Sequence, residues 1–167
     1  DNVRVIYLKA GPVTALTPDE HYPYLSEFTS NLIAFTTFYN IQYDVIYSHY
    51  WLSGWVAAKL KETWGTRFIH MFHTLGHMKR RIRDNQFYSP DTRIATEAHI
   101  VDWADKIIAA TPAEQSQLLW LYRADRRRIE IIPPGVDTEH FRDVLPQDEA
   151  KAHLGIDPDT AMLLFVG

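Results

Sequence analysis

The chain has 167 residues, 46% hydrophobic and 23% charged, enough for one ordinary core or for one domain and part of another. Its formal net charge of −4 argues against broad binding to nucleic acid or anionic membrane. It has no cysteine, which excludes a disulfide framework and thiolate chemistry, and no apolar run approaches the roughly 18 residues of a membrane-spanning helix.

Val3 to Leu8 reads as a strand, β-branched and aromatic, closed by Gly11-Pro12. Leu25 to Tyr39 carries Phe28, Leu32, Phe35 and Tyr39 at helical spacing. Val45 to Ser48 is a second strand. Trp51 to Trp64 is a helix with Trp55, Ala58 and Glu62 along one face, stopped by Gly65. Arg67 to Phe72 is a third strand, Arg93 to Ala104 a helix, and Lys106 to Ala109 a fourth strand. Thr111-Pro112-Ala113-Glu114 opens the next helix with strong start chemistry: Thr111 caps, Pro112 fits the first position, and Glu114 completes a capping box. Ile129 to Ile132 is a fifth strand. Asp148 to Leu154 is a short helix with Gly155 past its end, and Met162 to Val166 is a last strand.

Strands alternating with helices build βαβ units with right-handed crossovers. The expected class is α/β, a Rossmann-like, mostly parallel sheet with helices on both faces. Residues 1–134 form one lobe, Pro133-Pro134-Gly135 opens a linker over 135–142, and a second lobe begins near 143. No Gly-rich turn precedes the first strand, and both ends read as trimmed. Asp1-Asn2-Val3-Arg4 is not a signal peptide, and a reducing cytoplasm is the expected compartment.

In open α/β sheets, ligands gather outside the carboxyl ends of the strands. Two segments stand there, Ser48-His49-Tyr50-Trp51 and Phe72-His73-Thr74-Leu75-Gly76. His70, His73 and His77 suggest a metal site. However, His70 and His73 are an odd number apart on a strand and face opposite ways, and no carboxylate completes a His-Glu-x-x-His pattern. No metal is therefore expected; His70 reads as a packed sheet histidine and His73 as a ligand-edge residue. Lys79-Arg80-Arg81-Ile82-Arg83 reads as a solvated helix face with one or two cations available to a phosphate. Arg126-Arg127-Arg128 reads as surface. Of the five tryptophans only Trp51 begins a helix at the ligand edge, and Gly54 lets that helix approach its neighbours closely. Arg93 and Glu97 are four apart: either a helix-face ion pair worth a few tenths of a kcal/mol, or an arginine turned toward an anion. There is no Gly-x-Gly-x-x-Gly, P-loop or Gly-x-Ser-x-Gly elbow.

Taken together, these segments resemble the two-lobed GT-B glycosyltransferases of family 4, with the nearest likeness to the sucrose-phosphate synthase and mycothiol glycosyltransferase branches. The likeness runs through Ala10-Gly11-Pro12, Ser48 to Gly54, Phe72 to Lys79, Arg93 to Asp105, Ile107 to Glu114, Ile131 to Phe141 and Leu163 to Gly167. It implies that residues 1–134 are the latter part of the N-terminal, acceptor-side lobe and that 143–167 begin the C-terminal, donor-side lobe. The rest of that donor lobe is missing from the chain.

The activity implied is transfer of a sugar, with retained configuration, from a nucleotide-sugar such as a UDP-sugar to a small sugar or polyol acceptor, with or without a phosphate. No metal or further cofactor, no nucleic acid and no membrane span are implied. His73 would be catalytic and lie against the donor sugar. Tyr50, Thr74, Lys79, Arg93 and Glu97 would serve the acceptor, and Gly167 would lead into the donor site. Pro18 stands where the mycothiol branch has a phosphate-contacting lysine, which counts against an inositol-phosphate acceptor. This chain alone should not turn over. The competing class is a non-catalytic α/β sugar-phosphate-binding domain; a metal hydrolase built on the histidines ranks last.

Overall fold

A computed structural model describes residues 3–81 and 91–165. Four parallel strands, Val45–His49 (β1), Arg67–Met71 (β2), Lys106–Ala109 (β3) and Ile129–Ile131 (β4), lie side by side in chain order. The register sets Val45 beside Arg67 and His49 beside Met71, Ile69 beside Lys106, and Ile107 beside Ile129. Ahead of β1 come Pro18–His21 (α1) and Leu25–Phe38 (α2); Tyr50–Trp64 (α3) links β1 to β2. Gly76–Arg81 (α4) and Asp91–Trp103 (α5) follow β2, Pro112–Tyr122 (α6) links β3 to β4, and Gln147–His153 (α7) comes last.

Consecutive strand order with crossovers of one hand puts α3, α5 and α6 on the same face of the sheet. The core lies there: Phe68, Phe72, Ile107 and Ala109 from the strands and their ends meet Ala57 and Ala58 of α3, Ile100 and Val101 of α5, and Leu118 and Tyr122 of α6. The opposite face is less covered among the described residues, with Val45 and Tyr47 each half exposed. Asp105 stitches the amino ends of β2 and β3, accepting from the Phe68 amide at 2.9 Å and pairing with Lys61 at 2.9 Å.

Local chemistry explains the boundaries. Gly65, at φ +69°, ends α3 in the left-handed region that glycine enters freely, its amide returning to Lys61 O at 2.9 Å. Thr111 caps α6 by accepting the Glu114 amide at 3.1 Å. The return bond of the expected box is made one residue early, from the Ala110 amide to Glu114 Oε2 at 2.8 Å.

Several expectations are corrected. Val3 to Leu8 is not a strand: no ladder includes it, and Val3, Val5 and Tyr7 are exposed. The segment after it is held by α2 instead, through Asn31 Nδ2 donating to Lys9 O (2.7 Å) and the Gly11 amide donating to Glu27 Oε2 (3.0 Å). Residues 162–165 likewise join no ladder, and Val166 lies outside the described residues. In both places apolar composition states a preference that only a pairing partner realises.

On α3 the buried residues are not Trp55 and Glu62 but Trp51, Gly54, Ala57 and Ala58 toward the sheet and Val56 and Leu60 toward α2. The helix is sandwiched, so it carries two apolar stripes rather than one. On α2 the fully buried residues are Leu25, Thr29 and Thr36, and Tyr39 is exposed.

The chain divides by internal contacts between Pro133 and Pro134. In the second unit α7 is anchored by Lys151, nearly buried, whose Nζ donates to Thr160 O at 2.8 Å.

Gly54 is where α3 comes closest to its neighbours. A Cβ there would stand 2.5 Å from Ile100 Cδ1 and 2.7 Å from His70 Cε1. Gly54→Ala is expected to lower stability by about 1–3 kcal/mol through overpacking, read as a lower urea midpoint at unchanged m-value. An unchanged midpoint would show that the contact relaxes freely.

Candidate functional site

β1 and β2 both leave the sheet through left-handed backbone, at Tyr50 (φ +71°) and His73 (φ +62°). Bulky residues seldom adopt that region, and each such position costs about 1–3 kcal/mol, which a functional site commonly retains. These two exits stand at the carboxyl rim where the ligand edge was expected.

Behind the rim lies a buried polar network. Arg93 and Glu97, successive on one face of α5, form an ion pair at 2.7 Å with side chains only 4% and 0% exposed. Arg93 Nη2 donates to the Thr74 carbonyl at 2.9 Å and to Thr74 Oγ1 at 3.0 Å, while Nη1 donates to the Tyr50 hydroxyl at 3.3 Å. The guanidinium also sits over the Tyr50 ring, 5.1 Å from its centroid. Glu97 Oε2 accepts from the Gly76 amide at 2.8 Å and from the Tyr122 hydroxyl. The Tyr122 oxygen in turn accepts from the His77 amide at 3.3 Å. Burial and then the Glu97 carboxylate push the Tyr122 phenol far up, so it remains a donor at any working pH.

The other side of the rim is exposed. His49 Nδ1 and His73 Nε2 are 2.8 Å apart, the two rings meeting edge to edge with their planes 21° apart and centroids 5.0 Å apart. Tyr47 packs on His49 at 4.2 Å. Partial burial, with His73 as a second cause, lowers the His49 pKa.

His70 turns the other way, into the core, fully buried against Phe72 with ring centroids 4.3 Å apart. Its Nδ1 lies 2.8 Å from Ser48 Oγ, whose hydroxyl reaches the Ile69 carbonyl at 3.3 Å. If Ser48 donates to that carbonyl, the His70 proton sits on Nδ1. Nε2, which has no partner among the described residues, is then a lone pair rather than an orphaned N–H. Burial holds the His70 pKa down to about 3, with His49 and His73 adding to the effect.

The structure therefore joins Tyr50, Thr74, Arg93 and Glu97 by direct bonds and brings His73 to the same rim beside them. Arg93 and Glu97 form the helix pair that their spacing allows, but buried rather than solvated. Loss of either partner would leave a lone buried charge, a cost of about 3–5 kcal/mol. Lys79 is exposed on α4, three residues past Gly76. Arg80 of the basic cluster pairs with Asp91; Ile82, Arg83 and the predicted donor residue Gly167 lie outside the described residues.

Trp51 is not at the site: it is 1% exposed and stacks on Tyr22 at 5.5 Å within the core. Two surface hollows, about 260 Å³ by Trp120 and about 320 Å³ by Tyr43 and Trp64, involve none of the predicted site residues. His49 was missed from sequence. The available signal was the parallel pairing of a strand that ends on His49 with one that is followed two residues later by His73. No group of three or more metal-ligating side chains occurs among the described residues, and no helix there is long and apolar enough to cross a membrane.

Residues 3–140 match the sequence profile of Glycosyltransferase Family 4. The chain belongs to glycosyltransferase family 4. A family 4 relative, D-inositol 3-phosphate glycosyltransferase 2 of Catenulispora acidiphila, is 40% identical over 171 residues, covering 99% of this chain and 39% of its own length. The D-inositol 3-phosphate glycosyltransferase of a Nocardioides species is 38% identical over 171 residues, covering 100% and 37%. Among solved structures, the sucrose-phosphate synthase of Thermosynechococcus elongatus superposes with a TM-score of 0.76 at 30% identity, over 92% of this chain and 37% of that one. The chain thus spans between 37% and 39% of the length of these family 4 proteins. Its parallel α/β sheet is Rossmann-like, as the alternation of elements predicted, and is the GT-B glycosyltransferase fold that the resemblance implied.

The low pKa of His70 predicts a pH dependence. Between pH about 3 and 6.5 the unfolded chain binds a proton that the native imidazole refuses, so stability falls as pH drops through that window. The contribution is up to about 1.4 kcal/mol per pH unit. His70→Asn, which keeps an amide group near Ser48, should flatten the slope of urea midpoint against pH by that amount. An identical slope in the variant would show that His70 titrates normally in the fold.

Proposed function

We propose that this chain supplies the acceptor-side lobe, residues 1–134, and, after a linker over 135–142, the opening of the donor-side lobe, from about 143, of a retaining glycosyltransferase. That enzyme would move a sugar from a nucleotide-sugar to a small phosphorylated sugar or polyol. One observation carries the reading: Tyr50 from the end of β1, Thr74 from the end of β2 and Arg93 from α5 converge through hydrogen bonds of 2.9–3.3 Å beside His73. Hydroxyls and a guanidinium gathered from separate segments suit the oxygens of a phosphate. The names of the curated relatives, which specify an inositol phosphate, point to the same acceptor class.

The Arg93 charge is already matched by Glu97, so Arg93 acts here chiefly by fixing Thr74 and Tyr50 and by donating hydrogen bonds. Lys79, exposed and in no ion pair among the described residues, is the better source of positive charge. Pro18 opens α1 at its first turn and offers no cation of its own. His73, exposed and held in a rare backbone conformation, would lie beside the reacting sugar. The departing nucleoside diphosphate requires stabilising groups from the donor lobe, since such electrostatic terms are usually the largest in catalysis. The isolated chain is therefore expected to be inactive.

The test uses the full-length protein containing this chain, assayed against a panel of nucleotide-sugars and acceptors. His73→Ala should cut transfer by about a hundredfold or more with nucleotide affinity retained; nucleotide affinity lost in parallel would contradict the role. Lys79→Ala should raise KM several-fold, about 1 kcal/mol, for phosphorylated acceptors and leave neutral ones unchanged. Equal effects on both classes would remove the phosphate from the proposal. Acceptor binding with no transfer from any donor would instead identify a sugar-phosphate-binding domain.

A further inference from the structure

We propose that His49 is a positioning residue for His73, an inference that rests on His73 standing beside the reacting sugar. A neutral imidazole carries one N–H and one lone pair. The 2.8 Å contact between His49 Nδ1 and His73 Nε2 therefore makes one ring the donor and the other the acceptor. Whichever donates, Nε2 of His73 is already engaged, and Nδ1 is the nitrogen left for substrate. His49 thus fixes which nitrogen His73 presents and couples the tautomers of the two rings.

The rest of the geometry holds this arrangement in place. The ring planes lie within 21° of each other, so the hydrogen bond runs nearly in the plane of both rings, and Tyr47 backs His49 at 4.2 Å. His49 is the last residue of β1, paired in register with Met71, so His73 lies beyond the ladder. At His73 the backbone is left-handed (φ +62°), and its ring meets His49 at the end of β1. A strained main chain and a directed in-plane hydrogen bond converge on one exposed imidazole. Groups that orient a reactive side chain in this way typically control its effectiveness without touching substrate.

The test separates hydrogen bond from packing in the full-length enzyme. His49→Phe keeps an aromatic ring between Tyr47 and His73 but removes the bond. His49→Asn keeps an amide group close to where Nδ1 stood but removes the ring. His49→Phe should lower kcat about tenfold or more, with donor and acceptor KM changed by less than about twofold. His49→Asn should recover most of the lost kcat. In a His73→Ala background, His49→Phe should cause no further loss, because the two act as one unit. The proposal is overturned if His49→Phe is as active as wild type while His73→Ala is inactive, or if Phe and Asn are equally impaired. Loss in His49→Phe with His73→Ala active also overturns it, because the effect would not pass through His73. Full activity in both single variants sinks the role of His73 itself.

Discussion

The buried Arg93–Glu97 pair is the interaction around which the rest of the site is arranged. Two opposite charges out of water are stable only when geometry and hydrogen bonding replace what hydration supplied. Here they do. Both Glu97 oxygens are engaged, by the Arg93 Nε, the Gly76 amide and the Tyr122 hydroxyl. Both terminal nitrogens of Arg93 are engaged as well, by Thr74 and Tyr50. Those partners belong to the ends of β1 and β2, the start of α4, and α6. One ion pair on α5 thus fixes the chain segments that shape the carboxyl rim.

Residues close in sequence are sorted by the sheet into opposite environments. Ser48 and His70 face the crossover helices and are buried; His49 and His73 stand at the exposed rim. The buried histidine stays neutral to about pH 3 because no nearby anion offsets the cost of desolvation. The exposed pair keeps access to water and to ligand. Three imidazoles from two neighbouring strands and their ends are thus divided: His70 packs in the core, and His49 and His73 stand at the exposed rim.

Much of this was legible in the sequence. The four paired strands and their crossover helices followed from short β-branched runs alternating with helical spacing, and from punctuation such as Gly65 and Thr111-Pro112. The odd spacing of His70 and His73 placed them apart. What could not be read was partnership. Val3 to Leu8 has strand composition but pairs with no strand among the described residues. Trp51 begins a helix at the ligand edge yet points into the core, because α3 is covered on two sides. Arg93 and Glu97 look like a solvated pair in sequence, since nothing local reveals that α6 will lie over them. His49 acquires its role only when β1 and β2 are set in register.

The close approach at Gly54 has an evolutionary consequence. Positions 54, 70 and 100 share one volume, filled by an imidazole and an isoleucine because the first contributes no side chain. Enlargement at any of the three demands shrinkage at another. Enlarging substitutions there should be inherited in compensating combinations.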